Sequence, residues 1–317
     1  MKGKYTISIY NNKVRYELEL TRQVTVIKGK SGTGKTTLYL LFEAAILKGK
    51  ASGVHCNCTD KLIAGNREIT SLNDLYKIKN WHNKIIIFDE DSDIVQLKDF
   101  ASAINNSDNY FIFITRSGRM NWLTYSIHDI YELQSTTDEN GKYITRMYNR
   151  YNENSRTISP DLIITEDSNS GNDMMKLVFP KHKVVPGYGR DNIYNRLCES
   201  KFNTTYIIVD GAAFGSCIGR IIAKFKNKVY IFAPESFEYL LLCSDRLSKY
   251  ITDEITNTFN FCDTTKFISW EGYFTSLLCE LCSTKFHIKY QKGKLISFFS
   301  TVEFIEHVRS CIPDKII

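Results

Sequence analysis

Apolar and polar residues alternate over Tyr5, Ile7 and Ile9 and again over Val14, Tyr16, Leu18 and Leu20, with Asn11-Asn12 between the two runs. A two-residue period belongs to half-buried strands and adjacent asparagines suit a tight turn, so the chain opens on an expected β-hairpin. Next comes a short, wholly apolar strand, Val24 to Ile27, then a glycine-rich stretch, then the dense apolar run Leu38–Leu47, which reads as a buried helix ending at Gly49. Val54–Cys58, Ile85–Phe88 and Tyr110–Thr115 are further strand candidates, separated by helical candidates at Ser71–Ile78 and Ile94–Ile104. Strands alternating with helices predict a parallel α/β sheet.

From Ile127 the pattern becomes antiparallel: Ile130–Leu133 and Tyr143–Tyr148 flank a polar turn containing Asn140-Gly141. Asn149–Pro160 is almost free of apolar residues, and the domain boundary is placed there, giving domains 1–152 and 153–317. In the second, Leu162–Ile164, Lys183–Val185, Tyr206–Val209 and Lys228–Phe232 read as four short strands between helices. Its tail predicts a helix over Ser269–Phe286 and a strand pair over Ile288–Phe299 around Lys292-Gly293.

The chain has 317 residues, 43% of them hydrophobic, which suits two globular domains. It offers neither a membrane-spanning apolar run nor a signal-peptide start, so the expectation is a cytoplasmic protein with no membrane contact. Nine scattered cysteines fit that compartment as buried free thiols: Cys279 and Cys282 form one CxxC without the second pair that a structural zinc needs. The net charge of +6 is mild, but from Lys176 to Lys228 ten lysines and arginines stand against three acids, Asp191, Glu199 and Asp210. The basic 176–228 region is therefore either a nucleic-acid contact or a solvated face.

Two segments carry chemistry. Gly29-Lys30-Ser31-Gly32-Thr33-Gly34-Lys35-Thr36, followed by Thr37, fits GxxxxGK[ST] between a strand and a helix. Glycines let backbone N–H groups turn inward around a phosphate at a helix N-terminus, where the helix dipole also favours an anion. Lys35 is then expected on the β- and γ-phosphates and Thr36 on Mg²⁺. Downstream, Lys84-Ile85-Ile86-Ile87-Phe88-Asp89-Glu90-Asp91 is an apolar strand delivering acids at its end. It resembles a Walker B segment, and with the glycine loop the first domain resembles a P-loop NTPase. The resemblance implies Asp89 in the Mg²⁺ shell and Glu90 as the general base for water. Arg116 or Arg119, after the next strand, would stabilise transition-state charge. With no NKxD-type guanine motif and no LSGGQ signature, the reading is ATP with Mg²⁺, outside the standard ABC pattern.

The strand ends of the second half read Thr165-Glu166-Asp167, Pro186-Gly187-Tyr188-Gly189 and Asp210-Gly211-Ala212. This stretch, roughly Asp161 to Leu242, resembles a Toprim domain, the metal-dependent module of topoisomerases, primases and overcoming-lysogenisation-defect nucleases. The resemblance makes Glu166 and Asp210 metal ligands. Ala212 stands where the family has a second aspartate, and Asp167 or Glu235 is the candidate replacement. The implied whole is an α/β chain, a P-loop NTPase domain followed by a smaller Toprim-like domain, assembled as a homo-oligomer or with a partner protein. By analogy it serves in defence or mobile-element conflict. Two functions stay open: an ATPase that controls a nuclease, and an ATP-dependent binding protein whose Toprim-like domain is inactive.

Overall fold

The computed structural model describes residues 2–89, 92–105, 107–116, 120–151 and 155–317. They form an α/β protein of two compact units, residues 1–151 with 259–268, and 152–258 with 269–317. The short return to the first unit, absent from the sequence reading, is tied in by the Gly3 N–H, which donates to the Phe259 carbonyl at 2.6 Å.

The first unit is built on one nine-stranded mixed sheet. Its strands are β1 (Tyr5–Tyr10), β2 (Val14–Leu20), β3 (Val24–Lys28), β4 (His55–Cys56), β5 (Leu62–Ala64), β6 (Ile85–Phe88), β7 (Tyr110–Thr115), β8 (Ile130–Thr137) and β9 (Tyr143–Asn149). Their order is β4-β1-β2-β9-β8-β3-β7-β6-β5. From β8 to β5 every pairing is parallel. Parallel strands covered on both faces lose the polar alternation, and accordingly all of β6 and β7 is buried. The β1–β2 and β8–β9 hairpins are antiparallel and meet through a parallel β2–β9 pairing. Their alternation survives: Ile7, Ile9, Leu18 and Leu20 are at most 1% exposed and face the helix α1 (Lys35–Lys48) in one core.

The expected strand over Val54–Cys58 shrinks to β4, which joins the antiparallel edge beside β1 and not the parallel run. Asn57 explains this, because its side chain takes the Ser8 N–H at 3.0 Å and gives to the Thr6 carbonyl at 2.9 Å, ending the ladder. The helix expected over Ser71–Ile78 is a 3-10 turn, Leu72–Leu75, running into a short α-helix, Tyr76–Asn80.

The second unit carries a four-stranded, wholly parallel sheet of β11 (Leu162–Thr165), β12 (Val184–Pro186), β13 (Thr205–Ile208) and β14 (Val229–Phe232), in the order β12-β11-β13-β14. A separate pair, β10 (Thr157–Ile158) with β15 (Lys315–Ile316), joins the two ends of the unit. The helix Trp270–Phe286 forms as expected, but no strand pair follows it among the described residues. Phe298 and Phe299 turn inward instead, their rings 5.0 Å apart and Phe299 another 5.0 Å from Phe304, so core burial overrides the alternation. Among the described residues no helix is long and apolar enough to cross a membrane.

Candidate functional site

Strand β3 delivers the chain to the loop 29–34, and α1 begins at Lys35. Gly32 and Gly34 have φ of 83° and 85°, a left-handed backbone that favours glycine. Gly34 is also pressed from the side. A Cβ there would stand 2.8 Å from the Tyr16 hydroxyl, which donates to the Gly34 carbonyl at 2.8 Å. Lys35 is buried and folds back over the loop, donating to the carbonyls of Gly29 at 2.6 Å and Lys30 at 2.7 Å and to Thr33 Oγ1 at 3.2 Å. Lys30, Ser31, Thr36 and Thr37 are exposed around it.

Strand β7, later in sequence than β6, lies between β6 and β3. The three run parallel, with Lys28 opposite Thr115 and Phe88 opposite Phe113, so Gly29, Asp89 and Arg116 all leave the sheet at its carboxyl edge. In an open parallel sheet that edge, where the strand order reverses, is where ligands bind. Asp89 is fixed by Asn66, whose side-chain oxygen takes the Asp89 N–H at 2.8 Å. Its charge reaches α1: burial, then the Glu43 and Asp89 carboxylates, push the Tyr39 phenol up to about 12. Tyr39 lies one turn after Thr36 on α1. Arg116 is exposed. Glu90 and Arg119, assigned from sequence as base and charge stabiliser, lie outside the described residues.

A second convergence lies at the carboxyl edge of the other sheet. Glu166 leaves β11 and Asp210 follows β13, and the Asp210 N–H donates to Glu166 Oε2 at 3.0 Å. Asp210 Oδ1 accepts the Phe237 N–H at 3.0 Å, at the start of the helix Phe237–Leu242. Glu166, Asp167, Asp210 and Lys292 line a small cavity of about 30 Å³, room for one or two water molecules. Three neighbours escaped the sequence reading. Glu238 is fully buried, with Oε1 taking the Tyr290 hydroxyl at 2.9 Å and Oε2 without a partner. Glu271 receives a short hydrogen bond from the Lys292 ammonium. Lys292 is held from behind, where its carbonyl takes the Ser170 hydroxyl at 2.8 Å. The available signal was Glu238 itself, an acid inside the apolar run Phe237–Leu242, since a carboxylate is rarely buried without a paired cation.

The electrostatics follow from this crowding. Burial, with the Glu271 charge adding to it, pushes the Glu166 carboxyl up to about 7 despite the Asp210 N–H. Burial and the charges of Glu166, Glu271 and Glu238 raise Asp210 well above the carboxylate range. Burial opposes the charge on Lys292, but Glu238, Glu271 and Asp210 outweigh it and raise the ammonium above its ordinary value.

The donors available to a divalent ion here are few. Asp167, a candidate replacement for the missing aspartate, spends both oxygens on the Gly171 and Asn172 N–H groups at 3.0 and 2.9 Å. Ala212 is 3% exposed and has no donor to offer. Glu166 and Asp210 each commit an oxygen to backbone, and a cation of the chain's own, Lys292, already lines the cavity. Among the described residues no group of three or more His, Cys, Asp or Glu is placed to hold a metal. Divalent ions need several converging oxygens to offset their dehydration. The nine cysteines are all free.

Comparison of the chain with protein-family models, with curated proteins and with solved structures finds no match.

Proposed function

We propose that this chain binds and hydrolyses ATP with Mg²⁺ in its first unit, and that nucleotide occupancy governs a second unit that engages nucleic acid without cleaving it. One observation carries the nucleotide reading: the glycine loop with its inward Lys35, the Asp89 strand end and Arg116 share one edge of a parallel sheet. The loop fits a triphosphate, with left-handed glycines opening its backbone, a buried ammonium beneath it and a 14-residue helix behind it. Lys35 and the loop N–H groups would hold the phosphates, and Thr36 and Asp89 the Mg²⁺, whose role is to neutralise charge on the phosphate oxygens. Arg116 supplies a further positive charge from β7, and Glu90 is the base that the sequence assigns.

For the second unit, the Lys292 ammonium among the acids favours a binding module over a metal-dependent nuclease. A Toprim-like sheet supports either, because a fold does not decide chemistry. The test of the first reading is Mg²⁺-dependent phosphate release from ATP, which Lys35→Ala should abolish while Glu90→Gln keeps binding and stalls turnover. The test of the second is a panel of DNA and RNA substrates with Mg²⁺ or Mn²⁺, where no cleavage is expected. Cleavage lost on Asp210→Ala would restore the nuclease.

A further inference from the structure

We infer that Tyr188 is a stacking platform for an unpaired base, so that the partner of the second unit is single-stranded nucleic acid. The inference rests on the reading that this unit engages nucleic acid, and it starts from a residue whose geometry packing does not explain. Tyr188 has φ of 60°, a left-handed backbone that a bulky side chain adopts only at a conformational cost. Its ring recovers little of that through burial, being 56% exposed.

The loop around it is tightly specified. A Cβ at Gly187 would fall 2.4 Å from Ile193 Cδ1 and 2.8 Å from the Thr165 carbonyl, and Gly189 has φ of 97°. The N–H groups of Gly187 and Gly189 donate to the Thr165 and Glu166 carbonyls, each at 2.7 Å, and Asn192 Nδ2 holds the Tyr188 carbonyl at 2.7 Å. These contacts pin a protruding aromatic ring to the end of β11, beside the acid cavity.

One cation stands over it. The exposed Arg196 guanidinium is 5.0 Å from the Tyr188 ring centre. Two further cation–ring pairs lie elsewhere on the unit: Arg220 is 4.8 Å from the Tyr194 ring, and Lys183, before β12, is 5.3 Å from the Phe202 ring, which is 39% exposed. Asp191 and Glu199 stand on the same helix as Arg196, Arg190–Glu199, so the face mixes charges, with cations concentrated beside the rings. Aromatic rings set among arginines and lysines match a flexible polyanion with exposed base faces, the rings taking bases and the cations phosphates. A duplex keeps its bases stacked inside and gives a protruding tyrosine little to stack on.

The experiment measures binding of labelled oligothymidylate and oligouridylate of about 20 nucleotides to the full chain, by fluorescence anisotropy, with thermal melts alongside. Tyr188→Gly is the key variant, since glycine relieves the left-handed strain and removes the ring. Affinity should fall about tenfold, the scale of one lost base stack, while Tm stays the same or rises. Tyr188→Phe should bind as the native chain does. Arg196→Ala should weaken binding and reduce the salt slope by about one. Unchanged affinity in Tyr188→Gly, or duplex competing as well as single strand, would overturn the inference while leaving nucleic-acid binding in place. Absence of binding to any nucleic acid would remove the underlying reading as well.

Discussion

The Lys35 ammonium lies 2.6 Å from the Gly29 carbonyl oxygen, so the cation of the glycine loop is held by the loop's own backbone. In the proposed site a phosphate would compete for that ammonium with charged oxygens, and hydrogen bonds to an ionised acceptor are roughly twice as strong as neutral ones. The same contact keeps Lys35 buried against the loop.

The loop's backbone is therefore as important as its lysine. Gly34→Ala adds a Cβ 2.8 Å from the hydroxyl of the buried Tyr16 and forces a left-handed φ, so we expect nucleotide binding to be lost and stability to fall by about 1–2 kcal/mol. At Gly32 the added Cβ meets nothing within 4 Å, so Gly32→Ala should carry only the conformational cost. Nucleotide titration and melting of the two variants side by side check the difference. Equal effects would remove the role given to Tyr16.

The acid cavity makes stability depend on pH. Glu166 is raised from 4.5 in the unfolded chain to about 7 in the folded one, so between those values the folded state keeps a proton that the unfolded state has released. The Glu166 contribution to stability should then fall as pH rises from about 4.5 to 7, and the raised Asp210 acts in the same direction. Melts across that range should show the slope in the native chain and a weaker one in Glu166→Gln, which keeps an acceptor for the Asp210 N–H. Identical slopes in the two would contradict the assignment.

Lys292 is the counter-charge for the whole group. Lys292→Met strands Glu271 and removes the attraction that offsets Glu238 and Asp210. The side chain is 40% exposed, so solvent screens part of the loss, and we expect a cost of about 1–2 kcal/mol at neutral pH. Because protonation of Glu166 relieves the repulsion, the cost should shrink at pH 5. Denaturant melts at both values test this, and a cost that does not vary with pH would count against it.

Much of the frame was legible in the sequence, because strands buried on both faces are written as apolar runs: Ile85–Phe88 and Tyr110–Thr115 have the same limits when read and when observed. Strand order was not legible, since the place of β7 between β3 and β6 is a long-range pairing that local pattern does not encode. The stretch Ile288–Phe299 misled for a different reason. Its alternation serves to bury Phe299 and deliver Tyr290 and Lys292 to Glu238 and Glu271, contacts set by tertiary packing. The glycine loop is made of neighbours in sequence, whereas the acid cavity is lined by four separate segments.

Calorimetric titration of the full chain with a non-hydrolysable ATP analogue and Mg²⁺, native against Lys35→Ala, tests the proposed nucleotide site. Saturable one-site binding is expected in the native chain and at least a tenfold weaker affinity in the variant. Equal affinity in both, or no heat of binding in the native chain, would contradict it.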